Sequence, residues 1–133
     1  ILLQTGWAQG VIKASIDACN EVEPSLGHVN QYLHNRPDEL AAELEELQAR
    51  IGKLAATPYE TDKEHMLDVL DVRAQCSELS LKAAQSALLH QGARGYLMKS
   101  KPQRLIRESH FVAIVTPAIK HLRWEMAKLM GEA

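Results

Sequence analysis

Histidine, cysteine and acidic side chains are tested first for chemistry, because metal sites and acid–base catalysis depend on them. A di-iron site in a helical bundle needs paired Glu-x-x-His motifs, and no histidine here lies three residues after a glutamate. His121 and Glu125 share a helix face, a spacing more typical of a surface contact than of half a metal site. The sequence therefore predicts no metal ligand among its histidines, which are His28, His34, His65, His90, His110 and His121.

Motifs of nucleophilic or nucleotide-dependent enzymes are also missing from the sequence. It contains no Cys-x-x-Cys, Gly-x-Ser-x-Gly, P-loop or glycine-rich dinucleotide motif. Cys19 and Cys76 lie in apolar helical surroundings, which favours buried free thiols over a disulfide or a redox pair. No catalytic residue is predicted from these patterns.

The segment Gln91-Gly92-Ala93-Arg94-Gly95 could meet an anion, because it follows a long apolar-periodic helix. There the chain must leave the helix through a left-handed or closely packed conformation that glycine adopts easily. Backbone N–H groups exposed at such a turn can bind a phosphate. A plain helix C-cap is the alternative, and it is preferred for Gly95 taken alone. The neighbouring cations are expected to be solvated rather than bound to phosphate; they are Arg94, Lys99, Lys101 and Arg104.

The composition is that of an ordinary globular domain, with 46% apolar residues, 24% charged residues and a formal net charge of −2. Because there is no basic excess, we expect neither nucleic acid nor an anionic membrane as a partner. The length predicts one domain over residues 1–133. No membrane span or signal peptide is recognised, which favours a cytoplasmic or equivalent reducing location. The chain opens directly in a helical pattern, so we expect a fragment of a longer protein.

Apolar residues recur at three- and four-residue steps, which predicts helices, and no stretch alternates as a strand would. The predicted helices cover residues 2–22, 37–56, 62–91, 102–115 and 117–130, and residues 23–36 are predicted to be a connector with one helical turn. The clearest stripe is Leu40, Leu44, Leu47 and Ile51. The stripe of the first helix includes Leu3, Trp7, Val11 and Ile12.

Helix starts are predicted from capping residues and prolines. Thr61 and Glu64 have the spacing of a capping box. Thr116 is interpreted as an N-cap, with Pro117 at the first helical position.

Together these elements predict an all-α fold, an up-down four-helix bundle of residues 2–22, 37–56, 62–91 and 117–130. Residues 102–115 are expected to form a shorter helix across one end. The helix over 62–91 is apolar on two sides, so we place it centrally.

Three stretches resemble the C-terminal helical domain of the acyl-CoA dehydrogenase superfamily. They are LLHQGARGY at 88–96, RLIRES at 104–109, and Leu122-Arg123. In that family a helix ends in Gln-x-x-Gly-Gly-x-Gly-Tyr/Phe, a loop leads to a helix with Arg-Asp-Ala, and a Glu-Gly-Thr turn precedes the last helix. The distance from Gly92 to Arg107 matches the family spacing, and the segment GWAQG at 6–10 resembles the small-residue helix that begins the domain.

The resemblance implies an FAD-dependent oxidoreductase acting on an acyl-CoA-type substrate, assembled as a dimer or tetramer. In the family the glycine turn contacts FAD bound by a neighbouring subunit, which assigns that role to Gln91, Gly92, Ala93, Arg94 and Gly95. The threonine of the family's Glu-Gly-Thr turn falls on Ala118, which is carried over as a further cofactor contact. Since other domains supply most of the FAD pocket, this chain alone is expected to bind FAD weakly or not at all.

Several positions depart from the family pattern. The family's catalytic glutamate falls on Thr116 and the glycine after it on Pro117. A threonine hydroxyl does not take the α-proton of an acyl thioester at neutral pH, so no catalytic residue is assigned. The family's glutamine falls on Leu89, with Gln91 the nearest substitute in a shifted register, and no Arg-x-x-Phe-Gly occurs in residues 20–36.

These departures keep two other functions open. The chain could belong to a superfamily member with different flavin chemistry, or be a non-catalytic helical assembly module. Some family members place their base before the first helix of this domain, so Thr116 alone does not exclude a dehydrogenase.

Overall fold

The computed structural model describes residues 1–132, which contain six α-helices and no β-strand. The helices are α1 (Thr5–Glu21), α2 (Glu23–Asn30), α3 (Pro37–Ala55), α4 (Lys63–Gln91), α5 (Lys101–Ile114) and α6 (Ile119–Leu129). Short 3-10 helices lie at Leu2–Gln4 and Gly92–Tyr96. The predicted all-α class is confirmed, and the ends of α3 to α6 lie within two residues of the predicted ones.

Helix α2 lies where the sequence predicts a connector with only one helical turn. Pro24 lies in its first turn, where a backbone N–H is not needed for the helix. Gly27 leaves room for the carboxylate of Glu23, whose Oε1 would lie 2.9 Å from a Cβ at position 27. The same oxygen accepts a hydrogen bond from Arg36 at 2.9 Å, which links α2 to the segment before α3. The residues that predict a connector are thus compatible with eight helical residues.

Helix α3 follows the sequence pattern closely. Pro37 is its first residue, and Leu40, Leu44 and Leu47 are buried in the main core, with Ile51 packed against it. The acids of the first turn and Lys53 in the last turn suit the helix dipole.

The start of α4 differs from the predicted capping box. Its N-cap is Asp62, whose side chain accepts a hydrogen bond of 2.7 Å from the backbone N–H of His65. The carboxylate of Glu60 accepts hydrogen bonds from the N–H groups of Thr61 and Asp62. This turn gives Asp62 the extended backbone of an N-cap, so the assignment of the cap to Thr61 is wrong.

Helix α4 packs against α1, α3, α5 and α6, and its predicted central position is confirmed. One face enters the main core through Val72, Cys76, Leu79 and Ala83. The opposite face forms a second, smaller cluster, which consists of Leu70 and Ala74 with Leu122, Met126 and Leu129 of α6.

Ion pairs give the direction of α3 relative to α4. Arg50 pairs with Asp71 at 3.0 Å and Glu43 pairs with Lys82 at 2.8 Å. Because rising residue numbers on one helix meet falling numbers on the other, α3 and α4 are antiparallel.

The position of α5 corrects the predicted arrangement. Leu105 and Val112 of α5 are part of the main core, and α5 packs along both α1 and α4. The prediction that this helix lies across one end of the bundle is therefore wrong. Helix α6 instead packs on the outer cluster of α4. The reason is that Leu122, Met126 and Leu129 match the second apolar face of α4, which the main core leaves uncovered.

Candidate functional site: the turn after α4 and the groove between α1 and α5

Gly92 ends α4 with a backbone that few other residues adopt. Its φ is 70° and its ψ is −144°, and its N–H donates to the carbonyl of Leu88. A φ in this range is strained for residues that carry a Cβ. Gly92, Ala93 and Arg94 are all exposed, so the turn offers its backbone and one cation to solvent.

Gly95 is required for a different reason. It is buried, and a Cβ at this position would lie 3.1 Å from Leu88 Cδ1, 3.2 Å from Pro102 Cγ and 3.3 Å from Gln91 Cβ. The C-cap of α4 is Gly92, so the interpretation of Gly95 as a plain C-cap is wrong. Gly95 instead lets the turn pack closely against the start of α5.

Gln91 fixes the turn to the end of α1. Its Nε2 donates to the Ala18 carbonyl at 3.0 Å and to Glu21 at 3.3 Å. Glu21 also pairs with Lys101 at 3.2 Å. The side chain of Gln91 is therefore engaged within the chain, and Gly92, Ala93 and Arg94 are the predicted contact residues of the turn that remain open to a ligand.

Ala118 lies in another part of the molecule. It is buried and is the N-cap of α6, where its carbonyl accepts hydrogen bonds of 2.9 Å from the N–H groups of His121 and Leu122. The helix therefore begins two residues later than the sequence predicts. Thr116 is exposed and makes no cap, and Pro117 precedes the helix, so both assignments are wrong.

The two groups of predicted cofactor contacts are far apart within one chain. The turn is joined to Ala18, whereas the carbonyl of Thr116 accepts a hydrogen bond of 3.0 Å from Gln4. These two anchor points are 14 residues apart, which corresponds to roughly 20 Å along a helix. The structure does not bring Ala118 together with residues 91–95.

A groove of about 1050 Å³ lies between α1 and α5. Its apolar end holds Trp7 and Phe111, whose ring centroids are 6.2 Å apart, and Arg104 and Arg107 line it further along α5. Trp7 is 50% exposed, and Leu3, in the 3-10 helix before α1, is 94% exposed, so their predicted place in the buried stripe of the first helix is wrong. The sequence signal for this groove is the pair Gly6 and Gly10, since small residues leave one helix face open.

A buried polar cluster joins α2, α3 and α4 close to the turn. The Nε2 of His90 lies 3.1 Å from Arg36 Nη1, and its Nδ1 lies 2.8 Å from the Ser86 carbonyl. Because the guanidinium only donates, Nε2 accepts and Nδ1 carries the proton. The carbonyl of His90 accepts from Asn30 at 3.0 Å. Both ring nitrogens of His90 and its carbonyl therefore have partners within the chain, and the residue has a structural role.

Both cysteines are free and buried, as the sequence predicts. Burial raises the pKa of Cys19 and of Cys76 to about 11, so neither thiol is suited to act as a nucleophile at neutral pH.

Within residues 1–132, no group of three His, Cys, Asp or Glu side chains could hold a metal ion. Glu125, which shares a helix face with His121, pairs with Lys128 at 2.9 Å. None of the helices in the described part of the chain is long and apolar enough to span a membrane.

Comparison with protein-family models, with curated proteins and with solved structures finds no match to this chain.

Proposed function

We propose that this chain is the C-terminal helical part of an acyl-CoA dehydrogenase-like, FAD-dependent oxidoreductase, where it contributes to FAD binding and to self-association. The observation that carries the proposal is the turn at residues 92–95. Gly92 needs its φ of 70° and Gly95 needs its missing Cβ, so the two glycines that the chain shares with the family motif have separate physical causes here.

The contacts between helices support a four-helix, up-down arrangement, but with α5 in place of α6. Helix α1 packs on α3, α4 and α5, and α4 packs on the same two outer helices. The exposed Ala93 and Arg94 are offered to an FAD held by a neighbouring subunit, and the cation suits a pyrophosphate. The distance between Ala118 and this turn agrees with contacts to two different FAD molecules.

Thr116 favours a second candidate, a superfamily member with flavin chemistry other than dehydrogenation, or an assembly module without catalysis. Its hydroxyl does not replace a carboxylate base. It is exposed and free of a capping role, so the position could accept a glutamate without loss of a helix cap.

The test is NMR titration of the ¹⁵N-labelled 133-residue chain with FAD, ADP and riboflavin. We expect weak binding, with shifts of the amides at 92–94 by FAD and ADP but not by riboflavin, because the turn is assigned to the adenosine and pyrophosphate end. Arg94→Ala should reduce the shifts, and Lys63→Ala, an exposed cation at the far end of α4, should not. Shifts of other residues in place of the turn, or equal shifts with riboflavin, would contradict the proposal.

A further inference from the structure

Residues 22–36 connect α1 to α3 and cross the end of α4, and we call this segment the strap. It consists of Val22, α2 and the residues up to the start of α3. Of its residues, all of which the structure describes, only Asn30 is buried. No side chain of the strap belongs to either hydrophobic cluster of residues 1–132, and Val29 and Tyr32 are 57% and 82% exposed. The strap is therefore not held in place by the hydrophobic core.

Polar contacts with one turn of α4 hold the strap instead. The Asn30 side chain donates to the His90 carbonyl at 3.0 Å, and Arg36 Nη1 donates to His90 Nε2 at 3.1 Å. Ser86, one turn earlier on α4, donates to the Asn35 carbonyl at 2.6 Å. Because the net contribution of a hydrogen bond to stability is small, three such bonds make a weak attachment.

The closed strap also leaves one carboxylate oxygen unpaired. Arg36 Nη2 donates to Oε1 of Glu23 at 2.9 Å, whereas Oε2 of the same side chain is buried and has no hydrogen-bond partner within residues 1–132. A buried polar atom without a partner costs free energy, which hydration in an open strap recovers. The closed position is therefore opposed as well as weakly attached.

Both ends of the strap have a bend at which it can turn. Val22, between α1 and α2, has a φ of −98° and a ψ of −1°, and Asn35, just before α3, has a φ of 57°. Asparagine is one of the few residues that tolerate this left-handed region. Beyond the bends the chain is anchored, since Cys19 and Pro37 are buried. Ends of elements can absorb the backbone changes of a hinge motion, so the strap can move while α1 and α3 stay in place.

The thiol of Cys19 lies under the strap and is 0% exposed. Burial raises its pKa to about 11, a hydrogen bond with Ser86 and the charge of Arg36 oppose this shift, and the charge of Glu23 adds to it. Arg36 and Glu23 belong to the strap, and Ser86 carries one of its attachments to α4. The charges that act on Cys76 come from α3 and α4 and not from the strap.

We propose that residues 22–36 open as one unit while the main core stays folded, and that this opening uncovers the thiol of Cys19. A segment with few buried apolar contacts opens at a lower free energy than the whole chain unfolds. The strap thus controls the access of thiol-reactive compounds to Cys19, whereas Cys76 reacts only when the whole chain unfolds. The inference needs no cofactor and is independent of the proposed function.

Labelling with N-ethylmaleimide, followed by mass spectrometry, tests the strap. The Cys76→Ala chain reports on Cys19 and the Cys19→Ala chain reports on Cys76, and each rate is divided by the rate of the same thiol in the urea-unfolded chain. Without urea, Cys19 should react about tenfold faster than Cys76 or more. Low concentrations of urea should accelerate Cys19 less than Cys76, because opening the strap exposes less surface than unfolding does.

Substitutions separate opening of the strap from unfolding. Arg36→Ala removes contacts of the strap with α4 and within the strap, and should speed labelling of Cys19 by about tenfold. Leu54→Ala weakens the main core at the far end of α3, and should speed labelling of Cys76 but not of Cys19. Arg50→Ala is the matched arginine control, because it breaks an ion pair between α3 and α4 and should leave labelling of Cys19 unchanged.

Circular dichroism checks that each variant is folded before labelling. Asn30→Ala, which removes another attachment to α4, should act in the same direction as Arg36→Ala. The proposal would be overturned if Cys19 reacted no faster than Cys76 and with the same urea dependence, or if Leu54→Ala accelerated Cys19 and Arg36→Ala did not. Either result would mean that Cys19 is reached only by unfolding of the whole chain.

Discussion

At the scale of the residue, the turn after α4 shows how two glycines of one motif have different causes. Gly92 is exposed and depends on its backbone angles, whereas Gly95 is buried between Leu88, Gln91 and Pro102. Gly10 has neither constraint within the chain, since its φ is ordinary and the space beside it is open.

Alanine substitutions at two of these glycines should therefore have opposite signs. Gly95→Ala should lower the free energy of unfolding by roughly 1–3 kcal/mol, because Pro102 and the backbone-linked Cβ of Gln91 have little freedom to move away. Gly10→Ala should raise it by about 0.5–1 kcal/mol through helix propensity. Urea denaturation of both variants measures the difference, and a Gly95→Ala chain as stable as wild type would show that the packing relaxes.

At the scale of the element, both misassigned helix starts have the same origin. Thr61-Asp62 and Thr116-Pro117-Ala118 each contain a good capping residue, but the helix begins after the later residue. The turn before the helix decides which residue has an extended backbone. The capping propensity of a single residue carries no information about that turn.

Substitution separates the observed α4 cap from its neighbour. Asp62→Ala should lower the free energy of unfolding by about 0.5–2 kcal/mol, because the N–H of His65 loses its acceptor. Thr61→Ala, the matched control, should change it by a few tenths of a kcal/mol at most, since this side chain makes no cap. A larger loss with Thr61→Ala than with Asp62→Ala in thermal or urea unfolding would reverse the assignment.

Helix α6 should open more easily than the helices of the main core. It is held by the small outer cluster around Leu122, whereas α1, α3 and α5 share the main core with α4. Local stability follows buried apolar contact. In native-state hydrogen exchange we expect the amides of α6 to exchange faster than those of α4 between residues 69 and 87; equal protection would mean that α6 unfolds only with the whole chain.

At the scale of the whole molecule, polar groups inside the main core are held by hydrogen bonds rather than by opposite charges. Arg73 is fully buried and donates to Ser77, to the Val112 carbonyl at 3.1 Å and to Gln4 at 3.4 Å. Burial lowers the pKa of this guanidinium, and Cys76 opposes the effect. Arg73 thereby connects α4 with α5 and with the segment before α1.

The buried thiols predict a loss of stability at alkaline pH. In the folded chain the pKa of Cys19 and of Cys76 is raised from 9.0 to about 11, so between these values the unfolded chain releases protons that the folded chain retains. The free energy of unfolding should therefore fall as pH rises from about 9 to 11. The double variant Cys19→Ala, Cys76→Ala should show a shallower decline in urea denaturation; identical pH slopes would exclude the thiols as the cause.

The candidate site is only partly readable from the sequence. The turn at 91–95 follows from its glycines and from the helix before it, and Gly92 ends that helix as expected. The sequence does not predict that the Gln91 side chain is bound by Ala18 and Glu21, because these contacts join residues 73 and 70 positions apart. The sequence does not predict the groove beside Trp7 for a related reason. The spacing of apolar residues defines a stripe on a helix, but not which part of that stripe a neighbouring helix covers.

By itself, the sequence determined five of the six helices, all except α2, with limits within about two residues for α3 to α6. It also determined the central place of α4 and the burial of both cysteines. Those features depend on the periodicity and apolar content of short segments, which can be read without knowing how distant segments pack. Only the tertiary structure decided that α5 rather than α6 enters the main core and that the predicted cofactor contacts lie at opposite ends of α1. Helices α5 and α6 both carry an apolar stripe, so their places depend on which of two faces of α4 each stripe fits, and that is a property of the assembled core.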